Sequence, residues 1–212
     1  MRKFKAWHFL QPDMTAGSGN EPAWTVGETR TLEGEIVLCQ RGYHASKSAL
    51  DALFYAQEDR VACRVEVGGT VREDSDKVCG STRTLLWALD VQTTERVLHL
   101  FACAVAEDAL KMERKAGRET DTRSWATIET KRKWTEGSAT DNELDAARAA
   151  AWAAASAAAW AAESAAAWAA ASAAASAAER AAAWAAARAR YSRLLSKMLT
   201  EAHNESLKTV DK

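Results

Sequence analysis

The sequence predicts an α+β fold in which a small mixed or antiparallel sheet domain is followed by helices. Segments of alternating apolar residues, typical of strands, occupy the first part of the chain, and helical spacing of apolar residues follows them. The chain contains no Gly beyond Gly137 and no Pro beyond Pro22, so its last third is free to be helical. These observations predict three parts: a sheet domain over 1–92, a helical extension packed on it over 93–137, and a long helix over 138–212.

Short strands separated by turn residues account for most of the predicted sheet domain. Residues 4–10 are apolar and aromatic, and Pro12 ends this segment. Residues 60–67 alternate between apolar and polar or charged side chains, which is typical of a strand with one buried face. The remaining predicted elements are a hairpin over 24–27 and 29–32, strands over 35–39 and 84–89, a turn at Gly68-Gly69, and a helix over 47–56 capped by Ser46.

Three further helices are predicted from apolar spacing and capping residues. Two of them span 93–115 and 124–134. The third begins after Asp141 or Asn142, either of which can cap it, and extends over 143–201. One continuous helix of that length measures about 90 Å at about 1.5 Å per residue.

The long helix is dominated by alanine, which has the highest helix propensity of all residues. Between Ala146 and Arg190, 31 of 45 residues are Ala, in a repeat of three Ala and one other residue. A four-residue step turns about 400°, so these other residues drift by about 40° per repeat and wind around the helix. Ala faces allow close approach of a second copy, and Trp offers large apolar area for contact. The predicted contact residues are Trp152, Trp160, Trp168 and Trp184.

An apolar stripe follows the Ala-rich segment. Tyr191, Leu194, Leu195, Met198 and Leu199 have the spacing of a buried helix face. Unless the helix folds back, a partner copy is the simplest cover, so the first four of these residues are also predicted to contribute to oligomerisation. A solvated low-complexity helix is the alternative, and Glu163 and Glu179 interrupt the apolar run that a membrane span would need.

The charge balance bears on partners and on location. Lys and Arg total 28 against 29 Asp and Glu, and this net charge of −1 disfavours bulk binding to nucleic acid or to an anionic membrane. Residues 1–5 are basic but lack the apolar run of a signal peptide, which predicts a cytoplasmic protein. The four Cys are then expected to be reduced thiols that are buried or inert. None forms a CxxC pair, so no metal is expected.

No catalytic motif is recognisable in the chain. The motifs HExxH, GxSxG and GxxxxGK[ST] are all absent. His99 lies among apolar residues of a predicted helix and is interpreted as a packing or surface residue. His8, between Trp7 and Phe9, and His44 are the more informative histidines.

The segment EGEIVLCQRGYHASKSALDALFYA and the later strand RVACRVEVGGTVRE resemble an uncharacterised domain family common in bacteriophages and prophages. Its members show a strand, a C-x-x-G-[FY]-H-A segment, a short helix and a strand that ends before Gly. The resemblance covers about residues 2–90. It implies a phage-encoded protein in the cytoplasm of an infected or lysogenic bacterium, and it implies no activity.

A more distant similarity is to the nicotinamide pocket of ADP-ribosyltransferases of the diphtheria-toxin and poly-ADP-ribose polymerase class. In that class a first-strand His holds the ribose and adenosine side, a Tyr after a Gly stacks on the nicotinamide, and an acidic residue on a later strand is catalytic. His8 and Tyr43 match the first two positions, with Tyr55 near the second stacking position. The later strand has no Glu in its middle, and Asp74 or Asp76 can replace it only if the alignment shifts.

These features lead to three functional hypotheses. The first is a non-enzymatic phage accessory protein that binds or sequesters a nucleotide-like molecule, such as an immune signalling nucleotide, NAD or ADP-ribose. The second is an ADP-ribosyltransferase that modifies a host target, which the missing Glu disfavours. The third is a structural or assembly protein in which the long helix is the working part. The predicted ligand-binding residues are Trp7, His8, Arg41, Tyr43, His44, Tyr55 and Arg64.

Overall fold

The computed structural model describes residues 3–17, 21–56, 60–115, 117, 120–151 and 176–210. The chain forms two compact units. The first unit contains residues 1–97 together with residues 190–212, and the second contains residues 98–189. The C-terminal segment therefore belongs to the same unit as the sheet, whereas the sequence analysis places it in a separate helical part.

Strands come first along the chain and helices follow, with one short helix between strands. The strands are β1 (Phe4–Leu10), β2 (Thr29–Thr31), β3 (Tyr43–Ser46), β4 (Val61–Glu73) and β5 (Lys77–Ala88). The helices are α1 (Ala49–Phe54), α2 (Val91–Lys115), α3 (Thr122–Thr135), α4 over 141–151 and α5 (Ser176–Val210). The predicted α+β class is confirmed.

The five strands form one antiparallel sheet in the order β2-β5-β3-β1-β4. Because β4 also pairs with β5, the strands β5, β3, β1 and β4 close on themselves as a small barrel. The closure depends on the lengths of β4 and β5, which have 13 and 12 residues and each pair with more than one neighbour. The inward faces of these strands then share one core.

Strand β1 pairs much more extensively with β4 than with β3. All seven residues of β1 pair with successive residues of β4. Its register with β3, by contrast, is a single pair within the described residues, Trp7 with Ser46. Beyond that pair the two strands diverge, and the C-terminal half of β1 has β4 as its partner on one side only.

A bulge in β5 turns one large side chain to the outside of the barrel. Arg64 of β4 pairs with Trp87, but the next residue, Val65, pairs with Leu85. Leu86 is thus an extra residue in β5, and such a residue shifts the alternation of the side chains that follow it. Trp87 consequently lies on the same outer face as Arg64.

The inner face of the barrel forms the hydrophobic core. Arg83 is buried within it, and its guanidinium donates hydrogen bonds to the Glu21 carboxylate (2.9 Å) and the His44 carbonyl (3.1 Å). The guanidinium also lies 4.2 Å from the ring centroid of Trp24, so the buried charge is both paired and covered. The buried core residues are Ala6, Leu10, Trp24, Tyr43, Ala45, Val61, Cys63, Val65, Val67, Val78 and Leu85.

The predicted strands over 24–27 and 35–39 are wrong, and the strand in this region is β3 instead. Cys39 has a positive φ of 64°, which a regular strand does not accommodate. The guanidinium of Arg41 donates to the carbonyl oxygens of Glu33 and Glu35. These bonds hold the chain before β3 as a compact loop.

Three further local predictions are corrected by backbone contacts. The predicted turn at Gly68-Gly69 is a bulge within β4, where Gly69 has a φ of 72°. Ser48, and not Ser46, caps α1 by accepting the Asp51 N–H at 3.1 Å. The helix α4 is capped by Thr140 and not by Asp141 or Asn142. Thr140 and Glu143 form a reciprocal capping box, in which each side chain accepts the backbone N–H of the other residue.

The C-terminal part of α5 is covered within its own chain. Leu195 and Leu199 are fully buried. The imidazole of His203 stacks on the indole of Trp87 with 4.3 Å between ring centroids, and the Oγ atoms of Ser192 and Ser48 are 3.4 Å apart. The helix therefore folds back onto the outer face of the sheet, the alternative that the sequence analysis left open, and no partner copy is needed to cover these leucines.

The second unit is built from helices. The Trp134 indole N–H donates to the Asp141 carboxylate at 2.6 Å, and the Thr127 hydroxyl donates to the Ala147 carbonyl at 2.9 Å. His99 packs edge-on against Trp134 at 5.3 Å, which agrees with its interpretation as a packing residue. Among the helices in the described part of the chain, none has the length and apolar character needed to span a bilayer.

The buried leucines of α5 allow a direct test of this packing. Leu195→Ala should lower the free energy of unfolding by about 2–5 kcal/mol, because it removes buried methyl groups and leaves a cavity. Leu207→Ala lies in the same helix at a position that is 52% exposed. As the matched control, it should change the free energy by less than about 0.5 kcal/mol. Urea denaturation of the full-length variants, followed by tryptophan fluorescence, measures both values, and equal effects would contradict the packing.

Candidate functional site

A cavity of about 360 Å³ opens in the first unit where β1 and β3 diverge. Its volume is typical of small-molecule sites in proteins. The walls come from the C-terminal half of β1, from β3 and α1, and from adjoining loops. We call it the β1/β3 cavity; the polar side chains that define it are His8, Cys39, His44, Tyr55, Arg60 and Lys77.

His8 is the most constrained polar residue of the cavity. It lies on β1 opposite Cys63, and its Nε2 atom is buried without a hydrogen-bond partner among the described residues. Burial holds the pKa of His8 well below its usual value, and repulsion from Arg83, and from His44 when it is protonated, lowers it further. The imidazole is therefore neutral at physiological pH, and its Nε2 atom has an unused hydrogen-bonding capacity in the wall of the cavity.

His44 is held in one tautomer by its own loop. Its Nε2 atom accepts the backbone N–H of Cys39 at 2.8 Å, so the ring proton of the neutral imidazole lies on Nδ1. Burial lowers the pKa of His44, although a hydrogen bond with the backbone of Gly42 opposes the effect. The positive φ of Cys39 brings its N–H into this position.

Positive charge and an aromatic ring meet at one side of the cavity. The Lys77 Nζ atom lies 4.9 Å from the ring centroid of Tyr55 and 3.5 Å from the Cys39 Sγ atom. Hydrogen bonding with Tyr55 is the main cause that raises the pKa of Lys77, which keeps its ammonium charged. The Tyr55 hydroxyl donates to the Asp76 carboxylate, which fixes the ring. Arg60 supplies a second cation to the lining.

The cavity offers binding groups and no acidic group. None of its described lining residues is Asp or Glu. Asp76 reaches Tyr55 from outside the lining, and Asp74 accepts hydrogen bonds from Ser75 and, through its carbonyl, from Lys47. The arrangement can hold an anionic ligand with a planar ring, but it has no carboxylate in place to stabilise a developing cation.

The structure brings together only part of the predicted ligand-binding set. Trp7, His8, His44 and Tyr55 all line the β1/β3 cavity. The remaining three residues, Arg41, Tyr43 and Arg64, lie outside the cavity lining.

Tyr43 and Arg41 stabilise the fold and do not line the cavity. Tyr43 is 6% exposed in the core, edge-on to Trp24 at 5.6 Å, because its side chain points to the inner face of β3. Arg41 donates to two carbonyl groups of the loop before β3. Arg64 lies on the outer face, where its guanidinium is 4.5 Å from the ring centroid of Trp7.

Three chemically important residues of the cavity lining, Cys39, Arg60 and Lys77, are not among the predicted ligand-binding residues. Cys39, expected to be inert, is exposed and lines the cavity. Its place in the C-x-x-G-[FY]-H-A segment, five residues before His44, is the signal that could have identified it. Lys77 and Arg60 carry no comparable signal, since each is a single basic residue at the start of a strand or just before one.

The other three cysteines are buried thiols. Burial raises the pKa of Cys63 to about 12 and that of Cys79 to about 11, so both stay protonated. Burial also raises the pKa of Cys103. Within the described part of the chain, no three His, Cys, Asp or Glu side chains are grouped as metal ligands.

The predicted oligomerisation residues fall into two groups. Trp152, Trp160 and Trp168 lie outside the described residues, and the backbone of Trp184 lies within α5. Leu195 is buried in its own chain, and Tyr191, Leu194 and Met198 are half-buried. Self-association stays a prediction.

The neutral histidines predict a pH dependence of stability. The pKa values of His8, His44 and His203 are all lowered by burial in the folded protein. Below about pH 6.5 the unfolded chain takes up protons that the folded protein does not, so stability is fully present above that pH and declines as the pH falls. Between pH 7 and 5.5 the free energy of unfolding should fall by about 1 kcal/mol less in His8→Gln than in the wild-type protein. Urea titrations at both pH values measure it, and an unchanged loss would contradict the neutral state of His8.

Comparison with known proteins relates the chain to one family. Residues 4–96 match the family described only as a domain of unknown function, DUF7666. No curated protein matches the chain, and no solved structure does. The matched region contains all five strands and α1, and therefore the whole β1/β3 cavity, but it does not include α5. This match agrees with the resemblance to an uncharacterised family. The family description assigns no activity.

Proposed function

We propose that the chain is a non-enzymatic accessory protein that binds or sequesters a nucleotide-like small molecule in the β1/β3 cavity. We infer further that it acts in a phage-infected or lysogenic bacterium, where such a molecule is an immune signal, NAD or an ADP-ribose-type compound. The observation that carries the proposal is a single cavity that joins two neutral imidazoles, an exposed aromatic ring and two cations, with no carboxylate in its described lining.

Each group of the cavity has a counterpart in a nucleotide. The ring of Tyr55 is 57% exposed at the cavity and offers a face for a base. Lys77 and Arg60 suit phosphate oxygens, because ionised donors form strong hydrogen bonds with phosphate. The ring nitrogens of His8 and His44 suit the polar edge of a base or ribose hydroxyls. A volume of about 360 Å³ accommodates a mononucleotide-sized group.

The transferase hypothesis has less support from the same geometry. An oxocarbenium-like transition state requires a negative group beside it, and the described lining contains none. The carboxylate of Asp76 is engaged by the Tyr55 hydroxyl. ADP-ribosyl transfer therefore stays an alternative prediction, which incubation with labelled NAD and bacterial lysate tests. Transfer of label that Asp76→Asn abolishes would replace the binding proposal.

Self-association through the Ala-rich segment is a second, independent part of the proposal. It rests on the repeat of Trp152, Trp160, Trp168 and Trp184 in the sequence. The alternative hypothesis of a structural or assembly protein, in which this segment carries the function, predicts an oligomer that binds no small molecule. Sedimentation velocity of the full-length protein measures the oligomeric state without reference to the cavity.

Two substitutions of exposed lining residues test ligand binding. Tyr55→Ala and Lys77→Gln should each weaken a micromolar interaction about tenfold, because they remove a stacking face and a charged donor. Isothermal titration calorimetry of the full-length protein with AMP, ADP-ribose, NAD and cyclic dinucleotides measures the affinities.

Matched controls are available close to both residues. Phe54, next to Tyr55, is 73% exposed and does not line the cavity. Arg72 is exposed on β4 and does not line it either. Phe54→Ala and Arg72→Gln should retain the wild-type affinity. Flat titrations for the whole panel, or equal losses in the control variants, would overturn the proposal.

A further inference from the structure

A second cavity lies in the first unit between the outer face of the sheet and α5. Its volume is about 700 Å³, and we call it the α5 groove. The sheet contributes Trp7, Arg64 and Trp87, and α5 contributes Lys197, Thr200 and Glu201. Because α5 supplies one wall, the groove includes residues beyond the region that matches the domain family.

Arg64 is the central residue of this groove. It pairs with Trp7 on one neighbouring strand and with Trp87 on the other, so three outward side chains form a row across the sheet. Its guanidinium lies 4.5 Å from the ring centroid of Trp7. The two indoles meet edge to face with 5.6 Å between their ring centroids, so the row is packed by aromatic contacts as well as by the cation–π contact of Arg64 with Trp7. This row positions a guanidinium at the floor of the groove.

The charge of Arg64 has no anionic partner among the described residues. Its Nη1 atom is buried and makes no hydrogen bond there. Burial lowers the pKa of Arg64, which reflects the cost of desolvating its charge. Cation–π contact with Trp7 offsets only part of that cost. An anion in the groove would supply the missing counter-charge.

Other cations border the same space. Lys5, Lys47 and Lys197 line the groove together with Arg64. Lys47 is paired with Glu73 at 2.8 Å, and Lys197 lies 3.7 Å from Glu201 on the surface of α5. Glu201 is the acidic side chain of the described lining, against four cations. Because Lys47 and Lys197 are ion-paired, the positive charge of the lining without an ion pair among the described residues is that of Arg64 and Lys5.

The aromatic faces of the groove are already occupied. His203 stacks on Trp87 with an interplanar angle of 8°, and Arg64 covers Trp7. A base or another planar ring would have to displace one of these groups. The Thr200 hydroxyl already donates to the Ser196 carbonyl at 2.8 Å, so the free donors are the cations and the Ser196 hydroxyl, which suit oxyanions.

We propose that the α5 groove is a second binding site, specific for a small multivalent oxyanion such as a phosphoryl or carboxylate group. Arg64 donates the principal hydrogen bonds, Lys5 and Lys197 supply charge, and α5 forms the lid of the site. This site is separate from the β1/β3 cavity, although Trp7 lines both. Its ligand also links the sheet to α5.

The test uses full-length protein and two probes, pyrophosphate and citrate, which distinguish phosphate from carboxylate chemistry. Calorimetry at constant ionic strength should show binding of at least one probe. Arg64→Gln should weaken it at least tenfold, and Lys197→Gln, on the exposed side of α5, should weaken it about threefold. Arg72→Gln removes an exposed charge of the same strand outside the groove and should leave the affinity unchanged.

The outcomes separate this site from the β1/β3 cavity. Lys197→Gln keeps the test valid if Arg64→Gln fails to fold, because Lys197 is exposed. Absence of binding by both probes would overturn the proposal. An equal loss of affinity in Arg72→Gln would also overturn it. A loss of affinity in Lys77→Gln, with none in the groove variants, would overturn it as well, because that result would place the anion in the β1/β3 cavity.

Discussion

The single paired position between β1 and β3 is the constraint on which the rest of the structure depends. Trp7 pairs with Ser46 on one side and with Arg64 on the other, so the sheet is continuous at this row. Beyond it β1 keeps only its β4 partner, and the opening becomes a cavity with His8 in its wall. A small barrel closed along its whole length would bury its inner side chains completely. The same row extends to Trp87, on which α5 docks.

Electrostatics distinguishes the two cavities. In the β1/β3 cavity, burial keeps His8 and His44 neutral, and the charge comes from Lys77 and Arg60 at the lining. In the α5 groove the charge is held on the sheet itself, by a guanidinium that lacks an acceptor among the described residues. The near-zero net charge of the chain does not reveal either group of cations, because it sums charges over all 212 residues. Bulk composition is therefore a poor guide to ligands of this size.

Local patterns in the sequence predicted β1 and the two helices that follow the sheet well, since alternation and helical spacing report directly on burial. The loop before β3 was missed because it depends on the left-handed backbone of Cys39, which residue type does not reveal. The spacing of the stripe that contains Leu195 predicted its burial correctly. It did not predict that the sheet of the same chain covers the stripe, because contact between distant segments leaves no local pattern. Tyr43 was assigned to the ligand site from its match to a Tyr of the transferase class, and its burial in the core depends on the register of β3, which that motif does not report.

The central claim is that the β1/β3 cavity holds a nucleotide-like ligand. Native mass spectrometry of full-length protein purified from bacteria tests it most directly, because one spectrum reports assembly and any retained small molecule. The account predicts a retained mass of nucleotide class that is lost from the Tyr55→Ala variant and kept in Phe54→Ala. A spectrum of the bare chain or bare oligomer, unchanged after addition of the nucleotides, would contradict the claim.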